Sequence, residues 1–105
     1  MRNSLMSHTH FLFHIVIATK DRMPLIDPAW ERELYAYLSG IIKKLGGHTI
    51  EIDGMPDHAH ILTQLDLKTA FPDLMREIKA SSSKWVRRNY SPNFEWQRRE
   101  RIGGG

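Results

Sequence analysis

The spacing of apolar positions changes several times along the 105 residues, and each change marks an element. Residues 9–19, THFLFHIVIAT, are a nearly unbroken run of β-branched and aromatic side chains, which predicts a long strand buried on at least one face. KDRMPLIDP then lacks any period and reads as a connecting loop. In residues 28–47 the apolar side chains fall at Trp30, Leu34, Tyr37, Leu38, Ile41, Ile42 and Leu45, the stripe of an amphipathic helix. Its boundary signals agree, with Asp27 to cap the start, Pro28 in the first turn, Lys43 and Lys44 near the negative end of the dipole, and Gly46-Gly47 to stop it.

Beyond the helix, HTIEIDGM at 48–55 alternates as a second strand. HAHILTQLD at 58–66 reads as a third, joined to it by a Gly54 to Asp57 turn as a β-hairpin. A second helix is predicted over about 70–89, with Phe71, Leu74, Met75, Ile78, Ser82 and Trp85 inward and Arg76, Lys79, Lys84, Arg87 and Arg88 mostly outward. FEWQ at 94–97 opens a fourth strand. The order β-α-β-β-α-β is that of a ferredoxin-like split βαβ unit, an α+β fold whose antiparallel sheet carries both helices on one face. One domain over residues 1–97 and a basic, glycine-ended tail over 98–105 account for the whole chain.

Composition narrows the function classes. With no cysteine, disulfides, thiolate metal sites and cysteine nucleophiles are excluded, and the chain suits a reducing cytoplasm. The longest apolar stretch, FLFHIVIA, is too short to span a bilayer and has no signal-peptide flanks, so neither a membrane segment nor a secretion signal is expected. The net charge of +3 conceals an asymmetry: residues 1–75 hold seven Lys/Arg against nine Asp/Glu, whereas residues 76–105 hold eight against three. A basic cluster of that kind fits a polyanion such as nucleic acid, and it also fits a solvated helix face.

The candidate chemistry sits at the start of the third strand. Alternate strand residues share a face, so His58 and His60 project side by side about 7 Å apart in Cα, close enough for both imidazoles to reach one metal ion, while Ala59 points the other way. For an isolated H-x-H the commoner explanation is two half-exposed strand histidines with ordinary hydrogen bonds. The surrounding sequence changes that balance. FHIVIATKDRMPLI at 13–26, GMPDHAHILTQL at 54–65, LMREIKASSSKWV at 74–86 and FEWQ at 94–97 resemble, in order and spacing, the blocks of the single-tyrosine HUH transposases of small bacterial insertion sequences and their domesticated repeat-associated relatives. HAH at 58–60 fits the histidine, hydrophobic, histidine motif that names them, and the resemblance covers residues 9–97.

That resemblance implies a DNA strand-transfer enzyme that binds single-stranded or hairpin DNA at the ends of an element. His58 and His60 would hold a divalent ion, Mg²⁺ or Mn²⁺, and a tyrosine would attack the scissile phosphate to give a phosphotyrosine intermediate. Imidazole with oxygen donors favours Mn²⁺, and water and phosphate ligands admit Mg²⁺. A homodimer joined along a sheet edge is also implied. For DNA contact the candidates are Lys20 and Arg22 in the first loop and Lys79, Lys84, Arg87 and Arg88 of the second helix, neutralising phosphates. Ser81 to Ser83 either add hydroxyl contacts or permit close packing. Asp57 either orients a histidine from behind or forms the turn after Pro56. His14 matches a position where the family often has histidine, near the metal, and a packed strand histidine explains it as well. His8, His10 and His48 read as surface residues.

The family pattern continues past FEWQ into a glycine-rich aromatic turn and a helix with the nucleophilic tyrosine, then a Gln or Asn that completes the metal shell. This chain reads RRERIGGG, with no tyrosine after Tyr90 and no glutamine after Gln97. The expectation is that the fold and half of the metal site remain while the nucleophile is absent. Tyr35 and Tyr37 fall on or beside the core stripe of the first helix, and Tyr90 suits a core or capping role, with base stacking as the alternative. Two other classes stay open: a hairpin-binding protein derived from a transposase, and an RNA-binding domain of the same topology, for which the aromatics expected on adjacent strands are not evident.

Overall fold

The computed structural model describes residues 11–66 and 70–98. In chain order the elements are β1 (Phe11–Ala18), α1 (Glu31–Lys44), β2 (His48–Met55), β3 (His58–Leu65) and α2 (Phe71–Asn89), with a short 3₁₀ turn at Lys20–Arg22. The sheet order is β1-β3-β2 with both pairings antiparallel, as the hairpin and the first crossover require. Ala59, Ile61, Thr63 and Leu65 of β3 are buried, and Ile15 and Ile17 of β1 lie beside them. Leu34, Leu38 and Ile42 of α1 and Leu74, Ile78 and Val86 of α2 close over them as one core, so both helices cover the same face. This is the ferredoxin-like α+β arrangement expected from the sequence.

The fourth strand is shorter than expected: among the described residues it contracts to one antiparallel bridge, Thr19 to Trp96. Gln97 N–H donates to the Ala18 carbonyl at 2.8 Å and Lys20 N–H to the Glu95 carbonyl at 3.0 Å. The aromatics in this segment act as anchors. Phe94 and Trp96 are buried, Trp96 Nε1 donates to Ser82 Oγ at 2.8 Å, and Ser82 Oγ donates to the Ile78 carbonyl at 2.6 Å.

One helix start and one core facing differ from expectation for local reasons, and the glycine stop of the first helix falls where expected. The first helix begins at Glu31, after a turn in which Asp27 Oδ1 accepts from Ala29 N–H at 2.8 Å and the Asp27 carbonyl accepts from Trp30 N–H at 3.1 Å. Trp30 leaves the helical path, and its ring stacks on Tyr90 and meets Phe94 edge-on. At the other end Gly46 takes φ 94°, with Gly47 N–H donating to the Ile42 carbonyl and Gly46 N–H to the Lys43 carbonyl, the paired bonds of a Schellman cap. Phe71, expected inward, is more than one-third exposed and stacks on Phe13 at the edge of the core; Trp85 is half-buried against Tyr37.

β2 ends at Met55 as expected, and the turn to β3 is tight: Met55 pairs with His58, and only Pro56 and Asp57 connect the strands. Gly54 pairs with Ala59, and a Cβ at Gly54 would meet the His58 carbonyl and stand 2.7 Å from Tyr35 Oη. These two small residues let α1 approach the sheet where the histidine strand begins. β2 is an edge strand, interrupted by a register shift between Thr49 and Glu51, the kind of irregularity that discourages edge-to-edge pairing. His8, His10 and the tail over residues 99–105 lie outside the described residues.

Candidate functional site

Because odd-numbered residues of β3 face the helices, the even-numbered ones face away from them, and this places His58 and His60 on the open side of the sheet. Their rings lie 4.6 Å apart between centroids. His60 pairs with Val16 on one side and Asp53 on the other, and His14 lies diagonally across on β1. His14 Nε2 is 3.1 Å from His60 Nδ1, with ring centroids 5.2 Å apart. Together with Glu51 and Asp53 these imidazoles line a cleft of about 480 Å³.

The turn before β3 fixes the first histidine. His58 Nδ1 donates to Asp57 Oδ1 at 2.6 Å, which puts its proton on Nδ1 and leaves the Nε2 lone pair outward. Asp57 Oδ2 in turn accepts from Arg22 Nε at 3.2 Å. The bond from His58, aided by Arg22, holds the Asp57 carboxyl below the usual range for aspartate. Arg22 arrives there through a strained turn, with Asp21 and Arg22 both at positive φ, 54° and 55°. The turn is held by Thr19 Oγ1, which donates to the Met23 carbonyl at 2.6 Å, and by Asp21 N–H, which donates to Gln97 Oε1 at 3.0 Å. Thr19 N–H to the Asp57 carbonyl and Ile26 N–H to the Pro56 carbonyl, both 2.9 Å, brace the hairpin against this loop.

The residues that could serve as metal donors are the imidazole nitrogens on one face, one of them backed by a carboxylate, with two more carboxylates at the cleft. Among the described residues, however, no group of three or more His, Cys, Asp or Glu is arranged to hold a metal.

The six candidate DNA contacts fall in different places. Arg22 stands beside the histidine strand through Asp57, and Lys20 pairs with Glu95 at 3.6 Å. Lys79 Nζ donates to the Gln97 carbonyl at 2.9 Å and Arg87 to the Phe94 carbonyl at 3.1 Å, so both tie the 94–97 segment to α2. Lys84 and Arg88 are exposed on α2, on the side of the sheet away from the histidines. Of the three serines, Ser82 and Ser83 are buried, which leaves Ser81 half-exposed and favours packing for the other two. The tyrosines also lie off the histidine face. Tyr37 stacks on Trp85 and Tyr90 on Trp30, and the Tyr35 hydroxyl is buried beneath Gly54.

The pattern of the family described as "Transposase IS200 like" matches residues 7–100. The chain belongs to the IS200-like transposase family. The fold of this family member is similar to the crystal structure of a Deinococcus radiodurans R1 protein assigned as a transposase, with a TM-score of 0.73 and 22% identity. That match covers 78% of the chain and 63% of the Deinococcus protein, so the chain spans less than two thirds of its neighbour's length. Among proteins of curated description none matches the chain. No helix among the described residues is long and apolar enough to cross a membrane.

Sequence reasoning missed two parts of this site. Glu51 and Asp53 line the cleft, and the strict alternation of EIDGM carried the signal. The Arg22–Asp57–His58 chain depends on two left-handed residues in a row, for which KDR carries no local signature.

Proposed function

We propose that this transposase domain binds single-stranded or hairpin DNA across the open sheet face and holds a divalent ion, Mg²⁺ or Mn²⁺, through His58 and His60. The observation that carries the reading is the same-face histidine pair in which His58 is locked by Asp57 with Nε2 outward. Such an ion, when bound, polarises a scissile phosphate and stabilises the leaving oxygen. His58 and His60 contribute nitrogen ligands. Asp57 fixes the tautomer of His58 and adds negative charge behind it, and Arg22 orients the Asp57 carboxylate while placing a guanidinium near an incoming phosphate.

Strand cleavage and rejoining through a phosphotyrosine is the reaction this site would serve. The Tyr35 hydroxyl is buried, Tyr37 stacks on Trp85, and the exposed Tyr90 stacks on Trp30 at the end of α2; all three lie away from the histidine face, so none is placed to attack a phosphate held there. Residues 1–105 alone are therefore expected to bind DNA without forming a covalent adduct, the behaviour of a hairpin-binding module. We further propose a homodimer, for which the β1 edge, met by residues 95–97 only near Thr19, offers pairing groups.

The test is calorimetry with Mn²⁺ and hairpin-DNA binding on the same protein. Mn²⁺ binding is expected to vanish when His58 and His60 are both changed to alanine, and hairpin affinity to fall with rising salt. Mn²⁺ binding unchanged in that variant would refute the metal site. A covalent adduct on a denaturing gel would refute the placement of all three tyrosines away from the site, and a monomer by light scattering would refute the dimer.

A further inference from the structure

His14 makes a contact that the metal reading does not itself require. It is exposed on the open face of β1, so the core does not explain it, and its Nε2 stands 3.1 Å from Nδ1 of His60. A hydrogen bond between two imidazole nitrogens carries one proton, and two arrangements satisfy it. In one, His60 Nδ1–H donates to His14 Nε2, and the His60 Nε2 lone pair is free. In the other, His14 Nε2–H donates to His60 Nδ1, and neutral His60 must carry its proton on Nε2. Only the first lets His60 bind a metal through Nε2.

The two histidines of β3 thus have matched supports. His58 has its Nδ1 held by Asp57, and the corresponding nitrogen of His60 faces Nε2 of His14. The register explains why His14 can do this: Val16 is directly opposite His60, and a ring two residues further along β1 reaches diagonally across. We propose that His14 is a positioning residue that selects the Nδ1–H tautomer of His60, so that both histidines present Nε2 to the same side. The inference rests on the divalent-ion reading, and it assigns His14 a place behind the ligand instead of in the metal shell.

The test uses His14→Ala and His14→Gln, the second of which keeps an acceptor oxygen at about the reach of Nε2. Long-range ¹H–¹⁵N correlation spectra of the metal-free protein at pH 8, where an ordinary histidine is neutral, report which His60 nitrogen is protonated. The expected result is Nδ1–H in the wild type, a shift toward Nε2–H in His14→Ala, and restoration in His14→Gln. Mn²⁺ affinity by calorimetry should follow, falling about 10- to 100-fold in His14→Ala and recovering in His14→Gln. An Nε2–H tautomer in the wild type, an affinity unchanged in His14→Ala, or a glutamine variant as weak as alanine would overturn the proposal; the last is the behaviour of a direct ligand. Failure of the metal reading looks different, because Mn²⁺ binding would then be indifferent to the His58 and His60 substitutions. Failure of this inference leaves that dependence intact.

Discussion

Replacing Gly54 with alanine puts one methyl group where the sheet, the first helix and the histidine strand converge. In a strand with room to spare, alanine for glycine stabilises by about 0.4–1 kcal/mol through the unfolded chain. Here the new Cβ meets the backbone carbonyl of His58, approaches the Ala59 Cα at 3.0 Å and stands 2.7 Å from Tyr35 Oη. Two of these three neighbours are backbone and cannot rotate aside, so overpacking of about 1–3 kcal/mol dominates the entropic gain. A net loss near 2 kcal/mol, at a urea slope of about 1.5 kcal/mol per M, lowers the midpoint by about 1.3 M. Urea unfolding followed by tryptophan fluorescence reads this directly. Adding Tyr35→Phe removes the hydroxyl contact but leaves the His58 carbonyl, so the double variant should recover part of the loss. A Gly54→Ala protein as stable as wild type, or full recovery by Tyr35→Phe, would refute the claim that the hairpin backbone sets the limit.

Other consequences are open to simpler measurements. The Tyr35 hydroxyl is pushed above its ordinary pKa of 10.0 by burial, with the carboxylates of Glu31 and Asp53 acting in the same direction. Its folded-state pKa is raised, so its contribution is fully present below pH 10 and is lost as pH climbs beyond; Tyr35→Phe should flatten the alkaline fall in stability measured by urea titration between about pH 9 and 11. Ser82→Ala leaves the buried Trp96 Nε1–H without its acceptor and should cost about 1–3 kcal/mol in the same unfolding assay, whereas a loss below about 0.5 kcal/mol would mean the indole finds another partner. Lys79→Ala and Arg87→Ala should each lower stability by about 1 kcal/mol through the 94–97 carbonyls, while the exposed Lys84→Ala should stay within about 0.5 kcal/mol. Equal effects at all three positions would contradict the distinction between tethering and surface cations.

How far the sequence foretold this arrangement depends on whether a residue's task is set by its own element or by a distant one. Strand alternation placed His58 and His60 together because both belong to β3, and the stripe from Leu34 to Ile42 found the core for the same reason. The tasks of Lys79 and Arg87 are set elsewhere. On the helix wheel they are outward cations like Lys84, yet the returning 94–97 segment supplies carbonyls that capture them. No periodicity within α2 contains that segment. Trp96 illustrates the same limit: FEWQ resembles an opening strand, but Trp96 donates to the buried Ser82 hydroxyl and pairs with only Thr19, so tertiary anchoring replaces a ladder.

The histidine face shows this coupling at its strongest. His14, Asp57 and Arg22 are separated in sequence by up to 43 positions, and each reaches the HAH pair through a different device: a diagonal across strands, a two-residue turn and a left-handed loop. Arg22 adopts a backbone conformation that costs about 1–3 kcal/mol in a non-glycine residue, and the bonds from Thr19 and to Gln97 hold it there. Strain beside a histidine pair, maintained by contacts from two ends of the chain, is more than the hairpin needs to fold. It aims a guanidinium at Asp57, and Asp57 in turn fixes the ring nitrogen that His58 turns outward. An Arg22→Ala protein should therefore keep its fold by circular dichroism while binding Mn²⁺ more weakly, since Asp57 loses the hydrogen-bond partner that orients its carboxylate behind His58; Mn²⁺ affinity equal to wild type would leave the strained turn without a role at this site.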